Sequence, residues 1–302
     1  MMKKKVFQMK AKKWMALCLG AVMAFSLTAC GSAAQEAAQN GTSDQKAESG
    51  TEAAAAAQDA EDEGGADKLA QIKEAGKLVI ATEGDWSPWT YHDPDSGELV
   101  GLDVEIGKEL ASRLGVEAEF QETTWDSILA GVEAGRFDIA CNGVGYTEER
   151  AESYAFSEPY VYTHKVLVVR GDNEDITSFE DLNGKTTANT ASSTYAAIAE
   201  AYGAAVTPVD SLTETIELVL SGRVDATVNA QVSIEDYLKA NPDANLKIVA
   251  ISEGEPVVFP MQKTSETDSL VEAVNAALED MREDGTLAAI SEKYFGLDLT
   301  QQ

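Results

Sequence analysis

From residue 77 onward, short apolar runs alternate with longer segments in which apolar residues recur every three or four positions. The run from Lys77 to Thr82 predicts a buried strand, and the spacing from Leu102 to Leu114 predicts a helix ending at Gly115. Such alternation is typical of α/β proteins with parallel sheets built from βα units. The predicted strands are 77–82, 116–121, 137–141, 165–170, 186–189, 206–209, 224–228 and 246–251, and the predicted helices are 102–114, 125–134, 192–202, 213–220, 233–240 and a long one from about 265.

The sequence Gly-Arg-x-Asp occurs twice, at residues 135–138 and 222–225. In both copies a predicted helix ends at the glycine, where a left-handed C-cap suits that residue. A predicted strand follows, and Asn142 or Asn229 comes directly after it. Ligands of open α/β sheets bind beyond the carboxyl ends of strands. We therefore predict two similar lobes whose asparagines share a cleft, the alternative being a common helix-to-strand turn that happens to recur.

The first 30 residues contain six lysines and no acidic residue, and an uncharged apolar run extends from Trp14 to Ala29. This pattern predicts a secretory signal peptide over residues 1–29. The run ends in Leu-Thr-Ala followed by Cys30, which resembles the lipobox of bacterial lipoproteins and implies lipid attachment at Cys30. An ordinary signal peptide is the alternative. Residues 31–66 contain no large apolar side chain, so we expect 30–66 to be a disordered acidic and Ala-rich linker.

Composition narrows the function classes. The 302 residues include 23 basic and 52 acidic side chains, a formal net charge of −29, which argues against nucleic acid as a partner. With 44% apolar residues the chain can bury a sizeable core. Three cysteines exclude a disulfide-rich scaffold and offer no metal-ligand spacing, so we expect neither a metal nor a cofactor.

A series of short motifs carries a family resemblance. They occupy residues 84–91, 97–105, 135–138, 147–150, 156–160, 182–185, 222–225, 284–288 and 293–296. In order and spacing, residues 77–297 resemble the extracellular solute-binding proteins of polar amino-acid ABC transporters. The resemblance implies a bilobed periplasmic-binding-protein fold of the α/β class, in which two hinge segments, near 168–172 and 254–258, join two α/β lobes. Lobe 1 would comprise 77–169 and 256–297, and lobe 2 would comprise 171–253.

The resemblance also implies a clamp for the carboxylate of an amino acid. Arg150 ends a Thr-x-x-Arg motif that begins at Thr147, and a guanidinium presents a planar fork to both carboxylate oxygens. A surface arginine paired with a neighbouring glutamate is the alternative. On the other lobe, Ser193 and Thr194 occupy the family's Gly-Thr-Thr turn, with Ser192 where glycine is usual. They suit the same carboxylate at a helix N-terminus, or serve simply as helix caps.

Aromatic residues and glycines complete the expected pocket. Trp86 and Trp125 fall where family members sandwich the ligand side chain, although either could belong to the core. Gly143 and Gly145 align with residues whose main chain contacts ligand, and the hydroxyl usual at position 145 is missing. The ammonium group has no obvious partner, because Ala230 stands where the family commonly has aspartate.

Glu83, at the end of the first strand, is our substitute for that aspartate, assisted by Asn142 and Asn229. Paired tryptophans favour an uncharged polar, aromatic or sulfur-containing amino acid, and the run 225–229 resembles that of cystine-type receptors. We expect a monomeric receptor, lipid-anchored on the extracytoplasmic face of the membrane, that delivers an amino acid to an ABC transporter permease. Two alternatives are a cyclohexadienyl-dehydratase-like enzyme, with Glu83 as acid/base, and a lipid-anchored nutrient sensor.

Overall fold

The computed structural model describes residues 67–301. The predicted signal peptide, Cys30 and the linker lie outside the described residues. The helices are α1 (Lys68–Ala75), α2 (Leu102–Leu114), α3 (Trp125–Glu133), α4 (Arg150–Ser153), α5 (Thr194–Ala201), α6 (Leu212–Leu220), α7 (Gln231–Ala240), α8 (Asp268–Glu283) and α9 (Thr286–Phe295), with 3₁₀ turns at Phe179–Leu182 and Ser265–Thr267. The strands are β1 (Lys77–Thr82), β2 (Asp85–Trp86), β3 (Thr90–His92), β4 (Leu99–Val100), β5 (Glu117–Glu122), β6 (Ile139–Ala140), β7 (Tyr154–Phe156), β8 (Val161–Arg170), β9 (Thr186–Asn189), β10 (Ala205–Pro208), β11 (Ala226–Ala230), β12 (Leu246–Val257) and β13 (Pro260–Gln262).

Two sheets organise the chain. A three-stranded parallel sheet has the order β5-β1-β6, and a five-stranded sheet has the order β10-β9-β11-β8-β12. We call the part built on the first sheet lobe 1 and the part built on the second lobe 2. Leu78 and Ile80 of β1 are fully buried because helices pack on the sheet. The helices leave the carboxyl ends of β1 and β6 uncovered, so residues there can line a binding site.

The second sheet corrects the expectation of parallel sheets. β10, β9 and β11 are parallel, as the alternation predicts, but β8 and β12 run antiparallel to their neighbours. These two strands pair with each other along most of their length. They do not belong to βα units, so the alternation of strand and helix carries no information about their direction.

β8 and β12 also connect the two cores. Val161 and Val257 pack in the core of lobe 1, whereas Val166 and Leu246 pack in a core of lobe 2. The register of this ribbon shifts twice, once between Ile248 and Ala250 and once between Ile251 and Gly254. Residues 165–169 hydrogen-bond to β11 and so form part of the five-stranded sheet. The division of the chain at residues 169 and 256 stays a prediction.

The repeated motif has the same geometry in both lobes. Gly135 and Gly222 have φ of 70° and 68°, which confirms the left-handed helix ends. The aspartate of each copy then anchors the neighbouring strand: Asp138 accepts a hydrogen bond from Val79 N at 2.8 Å, and Asp225 accepts one from Thr186 N at 2.7 Å. In each lobe, the motif therefore ends a helix and fixes the next strand beside its neighbour.

Two terminal features differ from the prediction. The long helix expected from about 265 is two helices, because Gly285, with φ of 81°, ends α8 and begins α9. Helix α1 was not predicted. It docks on lobe 1 through buried Ile72 and through Lys68, whose Nζ lies 2.6 Å from Asp138 Oδ1. Across residues 67–301, no helix is both long and apolar enough to cross a membrane.

Candidate functional site

A cavity of about 530 Å³, with open solvent included, is lined by residues of both lobes. It brings together nine of the ten residues predicted to bind ligand; Asn142 is the exception. The lining comprises Glu83, Asp85, Trp86, Trp125, Gly143, Gly145, Arg150, Thr190, Ser193, Thr194, Tyr195, Asp210, Ser211, Leu212 and Asn229.

Arg150 is held by lobe 1 and reaches lobe 2. Its backbone N–H donates to Thr147 Oγ1 at 3.0 Å, which fixes the first turn of α4. The guanidinium donates to the carbonyls of Gly145 at 2.8 Å and Ser192 at 3.0 Å, and its Cζ lies 5.2 Å from the centre of a Trp125 ring. Burial lowers the Arg150 pKa, a shift that nearby Glu255 opposes.

No carboxylate between residues 67 and 301 lies within 4.0 Å of the Arg150 guanidinium. The alternative of a surface ion pair with a neighbouring glutamate is therefore not seen. A largely buried cation that keeps N–H groups free of an anionic partner is suited to an anionic ligand.

Ser193 and Thr194 stand at the N-terminus of α5, at the cavity wall. The Ser193 hydroxyl accepts a hydrogen bond from Ala196 N at 3.1 Å and donates to Thr190 O at 2.6 Å, so it serves as the helix cap. The capping alternative thus describes this side chain. The positive end of the helix still lies in the lining, on the same side as Arg150's contact with Ser192.

Glu83 and Asn142 form one unit. Asn142 is fully buried; its Nδ2 donates to Glu83 Oε2 at 2.6 Å, and its Oδ1 accepts from Glu83 N at 2.9 Å. Asn142 therefore holds Glu83 from behind instead of lining the cavity. Burial raises the pKa of Glu83 to about 7, although the Asn142 hydrogen bond opposes that shift and nearby Asp85 adds to it.

The tryptophans are nearly buried and still line the cavity. Trp86 and Trp125 are each 8% exposed, and Trp86 stacks on fully buried Trp89 with centroids 5.3 Å apart. Gly143 has φ of 56°, and a Cβ there would lie 2.6 Å from Trp86 Cζ3. Glycine at this position is required by both the backbone angle and the close approach of the ring.

The buried carboxylate of Asp103 holds the loop that contains Gly143. Asp103 Oδ2 accepts a hydrogen bond from Gly143 N at 2.5 Å, and Asp103 Oδ1 accepts one from the Tyr160 hydroxyl at 2.8 Å. Burial raises the Asp103 pKa to about 7. Asp103 thus positions the main chain that the cavity exposes.

Sequence reasoning missed six lining residues: Asp85, Thr190, Tyr195, Asp210, Ser211 and Leu212. One signal was available, because residues 210–212 follow a predicted strand and open a predicted helix, the same context that pointed to Ser193. Ser211 indeed caps α6, accepting from Glu214 N at 3.2 Å. Burial raises the Asp85 pKa. The lining is therefore more acidic than predicted, because it includes Asp85 and Asp210 in addition to Glu83.

The model of the bacterial extracellular solute-binding proteins, family 3, matches residues 78–297. The chain belongs to this family. The chain is thus a solute-binding protein.

Relatives with assigned names agree with the family match. The chain is 42% identical over 237 residues to the L-cystine-binding protein TcyA of Bacillus subtilis, covering 78% of this chain and 87% of TcyA. It is 34% identical over 238 residues to the L-cystine-binding protein TcyJ of Escherichia coli K12, covering 77% of this chain and 88% of TcyJ. Both matches span nearly the whole of the relatives.

Solved structures of the same architecture include an ancestral arginine-binding protein bound to arginine, with a TM-score of 0.68 and 36% identity over 73% of this chain and 99% of that one. Another is the ancestral amino acid-binding protein AncCDT-1, a precursor of cyclohexadienyl dehydratase, with a TM-score of 0.69 and 33% identity over 75% of this chain and 99% of that one. These neighbours confirm the α/β, bilobed periplasmic-binding-protein fold.

Proposed function

We propose that the cleft binds L-cystine and that the protein delivers it to the permease of an ABC importer. The observation that carries the proposal is a pair of groups at one cavity: the Arg150 guanidinium, free of a carboxylate partner in the described chain, and the Glu83 carboxyl group, held by Asn142. An α-amino acid presents a carboxylate and an ammonium group, which these two side chains complement. The names of TcyA and TcyJ favour cystine among amino acids.

Cystine also suits the rest of the lining. Its two sulfur atoms have favourable contacts with aromatic rings, which Trp86 and Trp125 provide. Its second ammonium group needs a further acidic partner, and Asp85 and Asp210 are candidates. An amino acid with a single ammonium group would not require them.

The carboxylate clamp is tested by Arg150→Ala in isothermal titration calorimetry with L-cystine. We expect the affinity to fall by about 100-fold or more, because a desolvated carboxylate loses its charged partner. Arg223→Ala, which removes the arginine of the second repeat away from the cavity, is the control and should bind like the wild type. Unchanged binding by Arg150→Ala contradicts the clamp.

The identity of the ligand is tested separately by thermal shift with L-cystine, L-arginine and L-glutamine. A ligand that binds only the native protein raises its melting temperature, and we expect the largest rise with L-cystine. A larger rise with L-arginine would replace cystine by a cationic amino acid held by Asp85 or Asp210 and would leave the clamp intact.

We infer that Cys30 carries a lipid and tethers the receptor to the extracytoplasmic face of the membrane, as a monomer beside its permease. The sequence around Cys30 and the family's extracellular location support this inference. The same cleft chemistry would serve a nutrient sensor, and a neighbouring pair of permease and ATPase genes distinguishes the importer's receptor.

The similarity to AncCDT-1 supports a second candidate function, that of a cyclohexadienyl-dehydratase-like enzyme. A dehydratase needs an acid or base at the substrate, and Glu83, with a pKa of about 7, has suitable acidity. We propose binding without turnover. Incubation with prephenate or arogenate should leave both unchanged, and conversion of either one would reverse the assignment.

A further inference from the structure

One residue of lobe 2 makes two polar contacts with lobe 1 at the edge of the cleft. Ser192, between β9 and α5, donates its hydroxyl to Asp126 Oδ1 at 2.6 Å. Its carbonyl accepts a hydrogen bond from Arg150 Nη2 at 3.0 Å. Asp126 belongs to the first turn of α3 and Arg150 to α4, both in lobe 1. The same residue therefore joins the lobes and holds the arginine of the proposed clamp.

The backbone of Ser192 is unusual among the described residues, where it is the one non-glycine residue at positive φ, with φ of 57°. A side chain in this region is disfavoured, and glycine would adopt the angle freely. Serine here keeps a hydroxyl that glycine lacks, and that hydroxyl is the group that contacts Asp126. Strain of this kind persists where the surrounding contacts hold it, and it marks positions with a functional role.

Ser192 lines a second cavity next to the proposed binding cavity. A second cavity, of about 1320 Å³ with open solvent included, is lined by residues of both lobes, among them Leu129, Tyr154 and Val206. It shares Arg150, Ser193 and Thr194 with the proposed binding cavity, whereas Ser192 lines the second one alone. Ser192 thus lies on the outer side of the wall formed by Arg150 and the start of α5.

We propose that Ser192 and Asp126 form a latch that stabilises the closed lobes and slows the release of ligand past Arg150. This inference rests on the proposed function for its ligand, and Ser192 acts in it as a positioning residue, through Asp126 and Arg150. The contact exists only when the lobes are together, so it stabilises the closed form and not the open one. Its loss therefore acts on dissociation more than on association.

The test measures L-cystine dissociation from the full chain by stopped flow, using tryptophan fluorescence, for Ser192→Gly and Ser192→Ala. We expect both variants to release ligand about threefold to tenfold faster, the range for an exposed hydrogen bond to a carboxylate, with little change in association. Ser192→Gly should also unfold at a temperature no lower than that of Ser192→Ala, because it removes the strain. Faster release without lost stability separates a latch from a structural defect.

Two further variants complete the design. Asp126→Asn should also speed release, and adding Ser192→Ala to it should have less than the additive effect, because both changes remove one contact. Ser221→Ala, a serine at the end of α6 whose hydroxyl bonds to Leu218 O, is the control and should leave dissociation unchanged. Wild-type dissociation rates in the Ser192 variants, or full additivity with Asp126→Asn, overturn the latch.

A ligand-free measurement keeps the two proposals distinct. Fluorophores introduced at positions 108 and 183, one on each lobe, report lobe closure by single-molecule energy transfer. If the wild type fails to bind L-cystine, the ligand assignment is wrong, and the latch is then judged on this readout alone. A smaller closed fraction in Ser192→Gly than in the wild type supports the latch, and equal fractions overturn it.

Discussion

Glu83 is a carboxylate on which burial and ligand charge act in opposite directions. Burial raises its pKa to about 7, so a large share of the ligand-free protein carries the proton near neutral pH. An ammonium group from the ligand favours the ionised form instead. With the proposed ammonium contact, binding should release a proton from Glu83, which makes the affinity depend on pH.

The expected dependence has a definite sign. Below pH 7 the proton on Glu83 competes with the ligand, so the affinity for L-cystine should fall by up to about tenfold per pH unit. Above pH 7 this dependence should level off. Ligand-free stability should change the other way: a raised carboxyl pKa contributes stability at low pH that is lost as the pH rises through 7.

Calorimetry at pH 5.5 to 7.5, in buffers of different ionisation enthalpy, measures both the affinity and the released proton. Glu83→Gln should bind more weakly at pH 7.5 and lose most of the pH dependence. A pH slope that persists in Glu83→Gln would remove Glu83 as its source and leave Asp85 and Asp103, whose pKa values burial also raises.

For single residues, the sequence predicts which residue types form the candidate site better than it predicts the directions of their side chains. The family resemblance carried by the Thr-x-x-Arg motif predicts Arg150 at the cavity, where the structure places it, and Thr147 holds its backbone N–H. Asn142 and Asn229 are both predicted directly after a strand, yet Asn142 turns inward to hold Glu83, whereas Asn229 lies within β11 and lines the cavity. The direction of a side chain at a strand end depends on the packing of another element, which spacing does not contain. Asp85, in the short β2–β3 hairpin, was missed for the same reason.

Helix α1 shows how an element outside the family match is attached to lobe 1. Asp138 is only 7% exposed, and it already accepts a hydrogen bond from Val79 N, so its second oxygen is available to Lys68. The side chain of Lys68 is 21% exposed, which limits the screening of this ion pair by solvent. The pair thus links α1 to the turn that the repeated motif builds.

Lys68→Met should lower the free energy of unfolding by about 1–3 kcal/mol, because it leaves a buried carboxylate without its cation. Urea titration followed by circular dichroism measures this. Lys73→Met, an exposed position of the same helix, is the control and should change stability by less than about 0.5 kcal/mol. Equal effects of the two substitutions would mean that α1 docks through apolar contacts alone.

Among the elements, those of the βα units were predictable and those of the connecting ribbon were not. The predicted helix 102–114 coincides with α2, and the predicted strands 77–82 and 186–189 coincide with β1 and β9. β8 and β12 extend well beyond their predicted bounds, since each runs through both cores. When one strand passes through two cores, its pattern of apolar residues does not mark where the first core ends and the second begins.

At the scale of the whole molecule, the proposed anchor and the binding body are separable. Cys30→Ser should release the protein from the membrane fraction into the medium while leaving its affinity for L-cystine unchanged, because the matched family region begins at residue 78. Fractionation and calorimetry on the released protein measure the two properties. Retention of the variant in the membrane fraction would contradict attachment at Cys30.

The largest core has a consequence for how the molecule is made. It unites Ile72 of α1 and Leu110 of α2 with Leu287 and Ile290 of α9, residues more than 170 positions apart in the chain. Lobe 2, by contrast, draws its sheet from one continuous stretch, residues 161–257. Lobe 2 can assemble while synthesis continues, but lobe 1 cannot complete its core until α9 has emerged. The core of lobe 1 therefore closes only after nearly the whole chain has been made, and its completion is a late step of folding.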